Sequence, residues 1–138
     1  MTELDIQIQV ADYLRLRYPN VLFHSDYGSG TRLTPGQAVK QKRLQGGRRA
    51  WPDMFLAFVR TIGDRYYHGL FLELKRPDVK IYKKNGELVA NEHIREQAAL
   101  LDELRKRGYK AEFACGFDEA KKIIDEYLGD PEDEEVEF

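Results

Sequence analysis

The stretch from Trp51 to Lys75 constrains the fold more than any other. Trp51-Pro52-Asp53 leads into an unbroken apolar run, Met54 to Val59. From Asp53 to Val59, length and apolar content predict a buried strand. Past a turn at Gly63-Asp64, Tyr67 to Leu74 predicts its hairpin partner, ending on Glu73-Leu74-Lys75. Residues two apart on a strand share a face, so Glu73 and Lys75 point the same way. Antiparallel pairing brings Asp53, at the start of one strand, beside the end of the other. Two carboxylates and one ammonium then collect at one rim of a sheet.

Such a trio has two readings. It is a salt bridge at a strand end, or it is a cation site. Hard divalent cations take oxygen ligands, usually one or two carboxylates with waters and a substrate phosphate. A cation so held polarises a phosphate and acidifies a bound water, while a nearby lysine orients that water or stabilises developing charge.

The rest of the chain supplies layers around this rim. Glu3 to Tyr18 carries Ile6, Val10, Tyr13 and Leu14 at helical spacing and stops before Pro19. Glu3 and Gln7 lie on the same stripe as Val10 and Leu14. By itself Glu3 reads as a first-turn acid favoured by the helix dipole. Val21 to His24 predicts a short strand and Ser25 to Leu33 a loop centred on Gly28-Ser29-Gly30. Thr34-Pro35 has the N-cap and first-turn signature of a helix to about Gln45. Lys40, Lys42 and Arg43 on that helix, with Arg48 and Arg49 after Gly46-Gly47, put five bases just before Asp53. They form a solvated basic face or a phosphate-contacting one, and their position beside the candidate cation site favours phosphate contact.

Asp78 to Ala90, with a turn at Asn85-Gly86, reads equally as a small hairpin over the rim or as a loop. Asn91 caps a helix from Glu92 to Arg107 whose inward stripe is Ile94, Gln97, Ala98, Leu101 and Leu104. Gln97, polar on an apolar face, must find hydrogen-bond partners in the sheet or in the site. Lys110 to Cys115 is the last strand, with Cys115 a small core residue. Asp118 caps a final helix burying Ala120, Ile123, Ile124, Tyr127 and Leu128, closed by Gly129. The expected fold class is α/β, a mixed β-sheet flanked by helices. Residues 1–129 form one domain and 130–138 an acidic disordered tail.

Composition narrows the function classes. One cysteine leaves no internal disulfide and makes a reducing compartment the default. Three histidines without paired spacing argue against zinc. No apolar run nears the ~20 residues that span a bilayer, and Met1-Thr2-Glu3 opens no signal-peptide pattern. The formal charge of −2 conceals an asymmetry, since six acids lie from Asp130 to Glu137. Without them 22 Lys and Arg face 18 acids, a basic body suited to a polyanion.

P-D, about twenty residues, then E-x-K on a second strand resembles the PD-(D/E)xK nuclease superfamily. A short chain, a first helix bearing Glu3 and a helical Gln97 after the E-x-K strand resemble its virus-type replication-repair nuclease (VRR-NUC) branch. The likeness runs from Glu3 to Leu128. One departure is Ala50, where the family tends to have the glycine of G-x-P-D. The resemblance implies a restriction-endonuclease-like core and a metal-dependent DNA endonuclease. Asp53 and Glu73 would bind Mg²⁺ or Mn²⁺ with Glu3 as a further ligand, Lys75 would act on the attacking water, and Gln97 would support Lys75 or that water. It also implies branched or flapped DNA as substrate, a homodimer, no small-molecule cofactor, and bacterial or phage-infected bacterial cytoplasm. Two other readings stay open: a DNA-structure-binding module of the same fold without cleavage, and a partner protein using its acidic tail as a DNA mimic or docking segment.

Overall fold

The computed structural model describes residues 1–27 and 33–129. The Gly28-Ser29-Gly30 loop centre and the tail from Asp130 fall outside the described residues. In chain order the elements are α1 (Glu3–Arg17), β1 (Phe23–Ser25), α2 (Pro35–Leu44), β2 (Met54–Leu56), β3 (Arg60–Ile62), β4 (Arg65–Tyr67), β5 (Leu70–Lys75), α3 (Glu92–Lys106), β6 (Lys110–Cys115) and α4 (Phe117–Leu128). β1, β2, β5 and β6 form one sheet in that order, antiparallel except for the β5–β6 pair, which a crossover through α3 makes parallel. The mixed α/β class expected from the sequence is what the chain adopts.

Local chemistry fixes most helix ends. Thr2 caps α1 and Thr34 caps α2 through reciprocal boxes with Asp5 and Gln37, satisfying amide groups that a helix leaves open. The Asn91 side chain accepts from Ile94 N at 3.0 Å and starts α3. The start of α4 differs from expectation. Asp118 lies inside its first turn, and the capping position is Gly116, with no side-chain cap. Gly116 has φ of +93°, and a Cβ there would lie 3.1 Å from Pro77. A residue with a side chain does not fit that corner.

The predicted hairpin is also revised. β2 does pair antiparallel with β5, but it ends at Leu56 rather than Val59. The chain then leaves the sheet and builds a separate two-stranded hairpin, β3–β4, which is where the Gly63 turn belongs. Val59, expected inside the buried strand, is exposed. The return into β5 runs through Gly69, where a Cβ would sit 2.6 Å from the Phe55 ring and 2.9 Å from Leu56 O. The early strand is Phe23–Ser25, one residue later than its predicted end.

Alternation along β5 divides the core in two. Leu70, Leu72 and Leu74 join Ile6, Val10 and Leu14 of α1 and Ala120, Ile124, Tyr127 and Leu128 of α4. Each such fully buried Leu or Ile stabilises by about 1.5–3 kcal/mol. Phe71 turns to the opposite layer, under Ile94, Leu100, Leu101 and Leu104 of α3. Leu100 was not on the predicted stripe, and Ala98 lies at the edge of the cluster. Cys115 is half-buried at that edge rather than central. The segment after β5 forms a small hairpin, with Tyr82 bridged to Leu88 and Ile81 buried in the α3 layer. Tyr13 of α1 and Tyr18, which caps its C-terminus, both donate to Asp125 of α4, tying the two helices together.

Candidate active site

Glu73 and Lys75 lie on the Phe71 face of β5, at the end of the central strand. The β2–β5 register pairs Met54 with Leu72, so one residue further Asp53 stands opposite Glu73. The Asp53 carboxylate accepts the Leu74 N–H at 2.7 Å through Oδ2. Asp53, Glu73, Lys75 and Gln97 are 6%, 2%, 6% and 5% exposed. These values exclude an ordinary surface ion pair, whose partners keep their hydration.

The two carboxyls lie close enough for Asp53 to act on Glu73. Burial pushes Glu73 well above the usual carboxyl range, and the Asp53 hydrogen bond and charge push it further. Lys75 opposes this shift and Glu3 adds to it. Two carboxyls so close cannot both ionise cheaply. A cation bound there would favour the ionised form of Glu73.

Glu3 enters from the first turn of α1, its Oε1 lying 3.9 Å from Lys75 Nζ. It meets the lysine rather than joining the pair. Among the described residues, no group of three or more His, Cys, Asp or Glu side chains is gathered to hold a metal ion. The donor set that could hold one is the Asp53–Glu73 pair. Two carboxylates suit Mg²⁺ or Mn²⁺, since a small hard cation retains several waters.

Gln97 reaches the same region from α3. Its Nε2 lies 3.2 Å from His93 Nε2. Its Oε1 is buried with no partner among the described residues, so Lys75 is not its hydrogen-bond donor here. A buried carbonyl in that state costs about 1–3 kcal/mol. It suits a water or ammonium brought to the site.

Two clefts flank these groups. One, of about 780 Å³, is lined by Glu73 and Gln97 together with Lys42, Arg43, Arg49 and Trp51. The second, of about 640 Å³, is lined by Glu3, Lys75, Arg76 and Val79. His93 lines both. The five predicted basic residues therefore divide. Lys40 and Arg48 line neither cleft, and Arg48 pairs with Glu103 of α3. Ala50 takes φ of +65°, the left-handed conformation that glycine adopts without strain.

Asp26 and His93 were not among the expected site residues, and Gln7 was placed only on the α1 stripe. Asp26 continues the Ser25–Met54 register, its N–H bonded to Asp53 O at 2.9 Å, and it lines the larger cleft. Asp26, Asp53 and Glu73 thus stand in one row across three strands. Gln7 holds that row's edge, donating to Asp26 O at 2.9 Å and to Ser25 Oγ. The signal for His93 was present, because four residues before Gln97 is the same helix face. Nothing short of the β1 register picks out Asp26.

No protein-family model matches the sequence, and the curated proteins give no match either. Among solved structures, one described as a VRR_NUC domain protein matches with a TM-score of 0.62. The match covers 94% of this chain and 90% of that one, at 23% identity. The chain therefore has the fold of a VRR_NUC domain protein.

Proposed function

We propose that the chain is a nuclease of the VRR-NUC type, a divalent-metal-dependent enzyme that hydrolyses DNA phosphodiester bonds, acting on branched or flapped DNA. One observation carries this reading: Asp53, Glu73, Lys75 and Gln97 are all buried, and Glu73 and Gln97 line a cleft that Lys42, Arg43 and Arg49 also line. A fold alone does not need such a group. Burying three ionisable side chains together costs stability, and perturbed groups in a cleft mark functional sites.

In this reading Asp53 and Glu73 hold Mg²⁺ or Mn²⁺, and Glu3 contributes a third acid near Lys75. The metal supplies Lewis-acid polarisation of the phosphate and a water of lowered pKa. Asp53 is held for its role by the Leu74 N–H, so its orientation does not depend on the ligand. Lys75, on the same strand face as Glu73, orients the attacking water and offsets charge on the phosphate. Lys42, Arg43 and Arg49, which line the same cleft as Glu73, hold the backbone phosphates.

The test is a panel of labelled linear, flap and four-way-junction DNA, incubated with Mg²⁺, Mn²⁺ or EDTA. Cleavage of a branched probe with metal, absent in EDTA and absent for Asp53→Asn, is the expected result. Metal-independent cutting, or binding without cutting under every condition, overturns it; the second outcome is that of a DNA-structure-binding module.

A further inference from the structure

His93 has no place in the mechanism above, yet it lines both clefts and contacts Gln97, whose buried carbonyl has no partner among the described residues. We propose that His93 is a positioning residue: its Nε2 accepts the Gln97 amide N–H and so turns Gln97 Oε1 into the wall that Gln97 shares with Glu73.

An amide has a donor end and an acceptor end, and fixing one fixes the other. A neutral imidazole likewise has one ring nitrogen that accepts and one that donates. With Nε2 accepting from Gln97 at 3.2 Å, the imidazole proton sits on Nδ1. The carbonyl end of Gln97 then faces inward, ready for a hydrogen bond from a water or from the Lys75 ammonium. Were Nε2 the donor, the amide would turn over and present N–H groups toward a site that already holds an ammonium. Donor would face donor, and a water held there would be oriented by the wrong end. The pairing is local, because residues four apart on a helix are neighbours. It is also stiff, because α3 is capped at Asn91, two residues before His93. His93 itself is exposed, so its removal leaves no core cavity.

The kinetic half of this proposal rests on the nuclease reading; the tautomer half does not. The first experiment is nitrogen-15 NMR of the histidine ring at a pH where it is neutral. The Nδ1-protonated tautomer is expected for His93, and Gln97→Ala should shift it toward the ordinary mixture. An Nε2-protonated ring, or one indifferent to Gln97→Ala, overturns the proposal.

The second experiment measures single-turnover and steady-state cleavage of the labelled branched probe with Mn²⁺. His93→Leu should lower kcat by about 10–100-fold with little change in KM, the size typical of residues that orient others at a metal site. His93→Gln, which keeps an acceptor near the Nε2 position, should restore most of that loss. In a Gln97→Ala background His93→Leu should have no further effect, since the two act as a unit. Equal losses for Leu and Gln, or additive losses in the double variant, overturn the proposal. Should the parent protein cut no probe while the tautomer result holds, the nuclease reading fails and the His93–Gln97 pairing stands.

Discussion

Asp53 reaches across to the next strand and accepts the Leu74 N–H at 2.7 Å, the amide lying between Glu73 and Lys75. One residue is thus a load on two systems, the sheet's hydrogen bonding and the site's charge. The two loads separate by mutation.

Asp53→Ala strands the Leu74 amide and should cost about 1–3 kcal/mol of stability. Asp53→Asn keeps an acceptor and should fold nearly normally, yet lose metal binding by calorimetry and cleavage by gel. Lys75→Met keeps the aliphatic stem, so metal should bind at least as well while cleavage drops by about 10²–10⁴-fold. Normal cutting by Lys75→Met would falsify the role given to the lysine.

The raised Glu73 carboxyl sets a pH dependence. Between its ordinary value of 4.5 and its higher folded value, the native state holds a proton that the unfolded chain releases. Metal-free stability should therefore fall as pH rises through that window and level off above it. Urea midpoints at several pH values in EDTA give the slope, and Glu73→Gln should flatten it. Adding Mn²⁺ should reverse the trend for the parent, by ~2.7 kcal/mol at a hundred times the dissociation constant. Glu73→Gln should lose this response.

The basic residues should differ by position. Lys42, Arg43 and Arg49 line the cleft, so their triple alanine variant should reduce the log–log salt slope of duplex binding by about 2.7. Lys40→Ala with Arg48→Ala should change that slope far less. Loss of the Arg48–Glu103 pair should cost no more than ~1 kcal/mol. Equal slopes for both variants would place the DNA elsewhere.

Ala50 holds a backbone conformation costing about 1–2 kcal/mol for a residue with a Cβ. Glycine removes that cost but returns about 0.4–1 kcal/mol through the freer unfolded chain. Ala50→Gly should raise the melting temperature by a small amount, and Ala50→Val should lower it clearly. A fall with glycine would mean that the Ala50 methyl contributes contacts exceeding the strain.

Much of this layout was readable beforehand because it rests on local rules. Thr34-Pro35 and Asn91 announce their helices, and the period-2 spacing of Glu73 and Lys75 puts both on one face. The Gly63 turn was assigned to the wrong hairpin because Met54 to Val59 looks like one apolar strand. Only the tight approach at Gly69 reveals where the chain must re-enter the sheet. The start of α4 misled for a similar reason: Asp118 is a good cap by type, but Pro77, distant in sequence, decides that Gly116 occupies the position. Asp26 was invisible because its place depends on a register between strands, and the division of the basic residues because a side chain on α3, Glu103, claims Arg48.

The bonds from Tyr13 and Tyr18 to Asp125 have a consequence for synthesis. α1, which bears Glu3, is synthesised before α4, yet it packs and hydrogen-bonds against that later helix. Until then α1 has only part of its apolar partner surface, and Gln7 has no settled edge to hold. A growing chain therefore carries every chemical group of the site well before it has the site. The site's chemistry is thus tied to α4, a helix that contributes none of its reacting groups.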